Sequence, residues 1–250
     1  MRLQGKVIIV AGAGDNMGRA IPVLFAQEGA RLVLVSRNAS ALSETASLAR
    51  ACGAEVEAIE ADVTDPQTAR RAVELAEQRF GGLDGLVNNA GGFFNPRGRL
   101  DELAPETWDQ ALRNLLRGAY LFSRAAAGAM ARRGGGAIVN VAAAPTTRIA
   151  GGSAYAAGKE GLVGLTRQLA RELWGANIRA NSISPGLIWM PWREPTVRPV
   201  RRSSLEGYGC GPDVAYAALW LMSDEASWVT GIDVVIDGGD GVCARPPERR

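Results

Sequence analysis

The sequence predicts an α/β fold, a doubly wound parallel sheet of about seven strands with helices on both faces. Three observations carry that expectation. Short β-branched runs alternate with longer Ala/Leu/Arg/Glu segments, the pattern of βαβ units. The runs VIIV (7–10) and LVLV (32–35) are apolar throughout, as strands covered on both faces must be. A glycine-rich turn, Gly12-Ala13-Gly14-Asp15-Asn16-Met17-Gly18, follows the first run directly.

Each element has its own reason. Residues 6–11 (KVIIVA) form a strand by their continuous apolar run, and 17–29 a helix ending at Gly29. Strand 31–36 is followed by helix 39–52, which Gly53 is placed to stop. Residues 55–60 alternate as a strand. Helix 66–80 starts with Thr64 or Asp65 as cap and Pro66 in the first turn. Strand 83–89 precedes one long helix over 105–132. Strand 137–143, helix 152–174 and strand 178–184 follow, then helix 212–223 and strand 232–237. Residues 189–211 are rich in Pro and Arg and break the alternation, which predicts an irregular flap. One domain is expected over 1–242, with 243–250 as a loose tail.

Composition narrows the chemistry. The chain has 250 residues, 47% hydrophobic and 22% charged, which are globular values. A formal charge of +2 gives no basic field for nucleic acid. There is no histidine, so Ser-His-Asp and Cys-His catalysis and His-ligated metal are excluded. Proton chemistry therefore falls to Asp, Glu, Tyr, Lys, Cys or water. Cys52, Cys210 and Cys243 are scattered, with no CxxC pair, which suits a reducing cytoplasm. No apolar run approaches the ~18 residues of a membrane span. Of the 28 basic residues only Lys6 and Lys159 are lysine, so lysine is an uncommon choice here.

The turn at 12–18 opens the first helix. Glycines there permit a tight turn and close backbone approach to a pyrophosphate, which the helix N-terminus attracts. The second strand ends at Ser36-Arg37, with no carboxylate to bind a ribose 2′-hydroxyl. Arg37 suits a 2′-phosphate instead, which favours NADP(H) over NAD(H). Asp15 counts against that preference by placing a negative charge nearby.

Asn89-Ala90-Gly91 and Tyr155-Ala156-Ala157-Gly158-Lys159, together with the glycine turn, resemble the short-chain dehydrogenase/reductase family, and in particular its 3-oxoacyl-acyl-carrier-protein reductases. The resemblance runs from residue 3 to about 242 and includes Asp62-Val63, Asn114, Pro185-Gly186 and residues 230–239. It implies a Rossmann-like fold, a nicotinamide cofactor and interconversion of a carbonyl and a secondary alcohol. It further implies that Gly12, Asn16, Met17, Gly18, Ser36 and Arg37 hold the nucleotide. Asp62 and Val63 would flank the adenine, and Asn89, Ala90 and Gly91 would pass beneath the riboses. Pro185, Gly186 and Ile188 would flank the nicotinamide. Tyr155 would give or take the proton, Lys159 would tune it and hold ribose, and Asn114 would link Lys159 to solvent through water. Physical chemistry supports the pair independently. Spacing i, i+4 sets Tyr155 and Lys159 on one helix face, and a nearby cation lowers a phenol's pKa.

Three positions depart from the family pattern. Its serine at the end of the fifth strand is replaced by Ala142 and Ala143, with Thr146, Thr147 and Ser153 as the nearest hydroxyls. Thr146 or Thr147 is a candidate replacement, and Ser153 is expected to cap the helix that carries Tyr155. Asn16 replaces a glycine, which its tolerance of positive φ allows. Met190 replaces a threonine that would hold the carboxamide. These departures keep alternatives open: a nucleotide-binding sensor with impaired catalysis, or a dehydratase or isomerase on the same fold. Phe93, Phe94, Trp189 and Trp192, with Ala143 and Thr146, are expected to form an apolar pocket for an aromatic or acyl small molecule. The Ala-rich helices imply, by the family's habit, a homotetramer or homodimer.

Overall fold

The computed structural model describes residues 1–91, 99–190, 192, 194–202, 204–205 and 207–243. In chain order it forms β1 (Val7–Ala11), α1 (Met17–Gln27), β2 (Arg31–Ser36), α2 (Ala39–Ala51), β3 (Val56–Glu60), α3 (Pro66–Phe80) and β4 (Gly85–Asn88). Then come α4 (Pro105–Leu112), a π-helical turn (Arg113–Arg117), α5 (Gly118–Arg132), β5 (Gly136–Val141), α6 (Pro145–Ala150), α7 (Ser153–Glu172) and β6 (Ile178–Pro185). The last part holds β7 (Ile188–Met190), β8 (Gly209–Cys210), α8 (Gly211–Met222) and β9 (Asp233–Ile236).

Seven strands make one parallel sheet in the order β3-β2-β1-β4-β5-β6-β9. The expected α/β class is therefore the observed one. Alternate β1 residues bury on opposite sides. Ile8 and Val10 join a core with Ile21 and Phe25 of α1 and Val214 and Leu219 of α8. Val7 and Ile9 join a second core with Val73 of α3 and Phe122 and Met130 of α5. Burial on both faces explains why the sequence shows an unbroken apolar run there. The strand order reverses between β1 and β4, and in such sheets the ligand crevice opens at that point.

Signals carried by neighbouring residues hold in the fold. Asp65, not Thr64, caps α3, its carboxylate accepting from the Gln67 N–H at 2.9 Å. Gly29 and Gly53 stand at φ +85 and +91 just past their helices. Three expectations need correction. The single helix over 105–132 is two helices joined by a π-helical turn around Asn114. Gly152 at φ +82, not Ser153, is the N-cap of α7, so Ser153 is already helical. The flap contains a small parallel pair, β7 with β8, which short strands without an alternating pattern did not announce. Helix α6 was not anticipated either, being too short to show periodicity.

Candidate active site

A cleft of about 440 Å³ opens at the carboxyl ends of β1, β2 and β4. Its floor is the β1–α1 turn. Gly12 lies at φ +99, and a Cβ there would stand 2.3 Å from the Ala90 nitrogen. A Cβ on Gly18 would stand 2.4 Å from the Gly12 carbonyl oxygen. Glycine is required at both places by contact, and at Gly12 by backbone angle as well. Asn89 fixes the turn: its N–H donates to the Ala11 carbonyl and its Nδ2 donates to the Gly12 carbonyl, both at 2.8 Å.

Asn16 caps α1 at φ +50, and its Nδ2 donates to the Ile188 carbonyl at 3.4 Å, tying the turn to the flap. The Oδ1 atoms of Asn16 and Asn89 are buried without a hydrogen-bond partner. Buried acceptors without donors mark a place for a ligand's hydroxyls or a bridging water. Met17 and Gly18 begin α1; the Gly18 N–H already donates to the Asp15 carbonyl at 3.0 Å, and the positive dipole end of the helix suits a phosphate. Ser36, Arg37, Asp62 and Val63 line one end of the cleft; Ala90, Gly91 and Asn114 line the other. The residues present thus fit a dinucleotide.

Charge at this end is organised in pairs. Arg37 Nη1 lies 3.6 Å from Asp62 Oδ2, with both side chains substantially exposed. Burial works against the Asp62 carboxylate, but the Thr64 N–H and hydroxyl and the Arg37 guanidinium outweigh it and hold the carboxyl below its usual range. Asp15 is paired with the buried Arg19 at 2.9 Å, and Arg19 also reaches Glu44 at 2.6 Å.

The catalytic candidates sit on α7. Lys159 is 5% exposed, and its Nζ donates to the Val141 carbonyl at 2.8 Å. The same Nζ lies 6.0 Å from the Tyr155 ring centre. A Cβ on Gly91 would stand 3.0 Å from it, so Lys159 abuts the end of the cleft. Burial pulls the Lys159 pKa down to about 8. Burial also pushes the Tyr155 phenol up to about 12, with Arg148 acting in the lowering direction. The expected depression of the phenol by Lys159 is therefore not what the chain alone shows. The cost of desolvating the phenolate wins, and the cation that opposes it is on α6.

Asn114 occupies the π-helical turn, and its Oδ1 accepts from Gln110 Nε2 at 2.9 Å. Such turns insert one residue into a helix and recur at functional sites. Gly158 lets α7 approach the turn, because a Cβ there would stand 2.8 Å from Leu115 Cδ1.

Ala142, Ala143 and Ala144 are buried at the end of β5 and bring no hydroxyl. Thr146 Oγ1 is engaged with Asp240 Oδ2 at 3.0 Å. Thr147 is 6% exposed, and its hydroxyl, like that of Ser153, is buried without a hydrogen-bond partner. Gly186 and Ile188 line a separate cavity of about 200 Å³ with Leu205, Tyr208 and Asp237. Pro185 stands beside it, its carbonyl accepting from the Ala144 N–H at 2.7 Å. Trp189 is 72% exposed. Trp192 is buried and packs, with Val197, into the core that α1 and α8 share. Phe93 and Phe94 lie outside the described residues, as do the side chain of Met190 and the tail from 244.

A buried polar network under the site was missed. Asn88 Nδ2 donates to Asn140 Oδ1 at 2.8 Å and to Ser123 Oγ at 3.3 Å, and Asn140 Nδ2 donates to Thr166 Oγ1 at 2.8 Å. Polar residues closing two otherwise apolar strand runs were its available signal.

Fold and cleft together define a dinucleotide-binding α/β protein. A family profile described as enoyl-(acyl carrier protein) reductase matches residues 12–240. A 3-oxoacyl-[acyl-carrier-protein] reductase of Thermotoga maritima is 35% identical over 245 residues, covering 96% of this chain and 99% of the relative. Levodione reductase of Leifsonia aquatica is 36% identical over 256 residues, covering 95% of each. The crystal structure of a protein from Burkholderia xenovorans, described as a short-chain dehydrogenase/reductase, superposes with a TM-score of 0.86 at 37% identity, over 98% of this chain and 99% of that one. The chain belongs to the short-chain dehydrogenase/reductase family. It is a nicotinamide-dependent oxidoreductase that interconverts a carbonyl and an alcohol.

Proposed function

We propose that the chain is an NADP(H)-preferring oxidoreductase of a small apolar, aromatic or acyl ketone and its secondary alcohol, with Tyr155 as proton donor and acceptor. The observation that carries this reading is the buried Lys159 beside Tyr155 at one end of a glycine-floored cleft whose other end bears Arg37. When bound, the nicotinamide supplies or takes the hydride. The chain's part is to hold, orient and protonate. Gly12, Asn16, Met17 and Gly18 would carry the pyrophosphate, and Ser36, Arg37, Asp62 and Val63 the adenosine. Asn89, Ala90, Gly91 and Lys159 would hold the riboses, with Pro185, Gly186 and Ile188 against the nicotinamide.

Tyr155, neutral at physiological pH, can give its proton to a carbonyl oxygen. Lys159, drawn down to about 8, can hold or release a proton beside it. Asn114 would connect that pair to solvent. Support for NADP(H) comes from Arg37 just past β2, a strand that ends without a carboxylate of its own, and from Asp15 being paired with Arg19. With Thr146 committed to Asp240, the Thr147 and Ser153 hydroxyls keep their capacity to meet a substrate oxygen. The exposed Trp189 would border the substrate. The relatives named for 3-oxoacyl and levodione substrates motivate the substrate class. A homotetramer or homodimer through α5 and α7, in the cytoplasm, completes the reading; the described cysteines are free.

The test is loss of reduced-nicotinamide absorbance with a panel of 3-oxoacyl thioesters, levodione and aromatic ketones, with Tyr155→Phe in parallel. Tyr155→Phe should lose about 10²–10⁴-fold in rate and keep its nucleotide affinity. Retained turnover would remove Tyr155 from its role. The hydroxyl-free end of β5 favours a second reading, a nucleotide sensor with impaired catalysis. Cofactor binding with silence across the panel would support that one.

A further inference from the structure

The polar network beneath the site ties the helix that carries Lys159 to the strands that carry the cleft. Asn88 of β4 and Asn140 of β5 stand opposite each other in register, and both, like Thr166 of α7, are buried. Asn140 Oδ1 accepts from Asn88 Nδ2 at 2.8 Å, which turns the amide so that its own Nδ2 faces α7. There it donates to Thr166 Oγ1 at 2.8 Å. The Thr166 hydroxyl gives its proton to the Leu162 carbonyl at 2.8 Å, so a lone pair is what it offers Asn140. The next residue of β5, Val141, takes the Lys159 ammonium on its carbonyl, also at 2.8 Å. Consecutive residues of one strand thus hold two points of one helix. Those points lie on one helix face, about two turns or 10.5 Å apart. We propose that Asn140 and Thr166 are positioning residues of the reaction: their bond sets the register of α7 on β5 and so holds Lys159 at the end of the cleft. The inference rests on Lys159 and Tyr155 being the catalytic pair.

Apolar packing alone would set this register weakly. Among the buried residues of α7, Leu162 and Val163 are large and apolar, while Ala154, Gly158 and Ala170 are small. A helix with so few knobs meets little steric resistance to a shift along the sheet. A bond between buried polar groups resists that shift, because the parted amide finds no water in its place. A polar pair in an apolar seam specifies register in this way in coiled coils. Lys159 has no room to absorb a shift. Its Nζ sits between the Val141 carbonyl and Gly91, where an added Cβ would stand 3.0 Å away. Tyr155, about one turn earlier on the same helix, would travel with it. Ser123 of α5 stands at the far end of the network, where it accepts from Asn88 Nδ2 at 3.3 Å. It shares the network's burial without bonding to α7 through its own hydroxyl, which makes it the control.

The test uses lysine as its reporter. Lys6 and Lys159 are the only lysines, so NMR of protein carrying carbon-13 at the lysine ε-carbon gives a signal for each. The one missing in Lys159→Met belongs to position 159. Without nucleotide or substrate, the nearly isosteric Thr166→Val should shift and broaden the Lys159 signal and leave that of Lys6 in place. Turnover on the ketone panel should fall about tenfold or more, because a small misplacement of a catalytic group costs that much. Thr166→Ser, which returns the hydroxyl, should restore the signal and most of the rate. Ser123→Ala should leave both near wild type. Asn140→Ala strands no amide against α7; it should reproduce the Thr166→Val result and serves if Thr166→Val does not fold. A Lys159 signal unmoved in Thr166→Val, or full turnover there, overturns the proposal. So does a Thr166→Ser no better than Thr166→Val, or a Ser123→Ala that moves the Lys159 signal as far. Loss of turnover in Lys159→Met with an unmoved signal in Thr166→Val would sink the positioning role alone. Full turnover in Lys159→Met would sink the catalytic pair and the positioning role with it.

Discussion

The proposed nucleotide end and the proposed catalytic end of the site are built from different materials. At the nucleotide end, backbone does the work. Gly12 and Gly18 leave space that any Cβ would fill, Asn89 closes the turn on Gly12, and the strand order opens the cleft. At the catalytic end, side chains from β5, α6, α7 and the π-helical turn must meet. Lys159 reaches the Val141 carbonyl, Arg148 reaches Glu160, and Asn114 is displaced onto the cleft by one extra residue in its turn. The first kind of site fails by clash, the second by altered charge.

That contrast can be broken from either side. The largest effect is expected at Gly12→Ala, where positive φ and a 2.3 Å contact coincide. A loss of about 4 kcal/mol or more in stability, or no folded protein at all, should appear in urea unfolding. A folded variant with full nucleotide affinity would show that the turn yields.

The catalytic end should instead reveal itself through pH. The folded Lys159 pKa, about 8, lies below its ordinary 10.5. Between those values the unfolded chain holds a proton that the folded chain does not, so stability rises with pH across that window. The gain is of order 3 kcal/mol, fully present above about pH 10.5 and absent below about 8. Tyr155, raised to about 12, works in the opposite direction above pH 10. Unfolding free energies from pH 7.5 to 10 should climb in the nucleotide-free wild type and lose most of that slope in Lys159→Met. Equal slopes would mean that Lys159 is solvated.

A hydroxyl returned to the end of β5 probes the same region by chemistry. Ala143→Ser, with Ala142→Ser as the neighbouring choice, should raise kcat roughly 10–100-fold. No gain from either would show that Thr147 or Ser153 already serves. The smallest effect belongs to the exposed rim of the nucleotide end. Arg37→Asp should swing the ratio of NADPH to NADH affinity about tenfold toward NADH, and an unchanged ratio would discard the assignment. Its modest size follows from the Asp62 partner already sharing that charge.

The sequence alone determined whatever depends on chain neighbours. Unbroken apolar runs announced a sheet covered on both faces, the 12–18 turn announced where a phosphate would sit, and the Tyr155–Lys159 spacing put both on one helix face. These patterns are local because period, glycine freedom and i, i+4 geometry are properties of adjacent residues. Tertiary structure alone decided the rest. It sent Trp192 into the core, engaged Thr146 with Asp240, made Gly152 rather than Ser153 the cap, and inserted the π-helical turn at Asn114. It also buried Tyr155 and Lys159 enough to move both pKa values toward the neutral forms, and paired Arg148 of α6 with Glu160 of α7. Burial and long-range charge depend on which elements pack together, and no window of sequence records that.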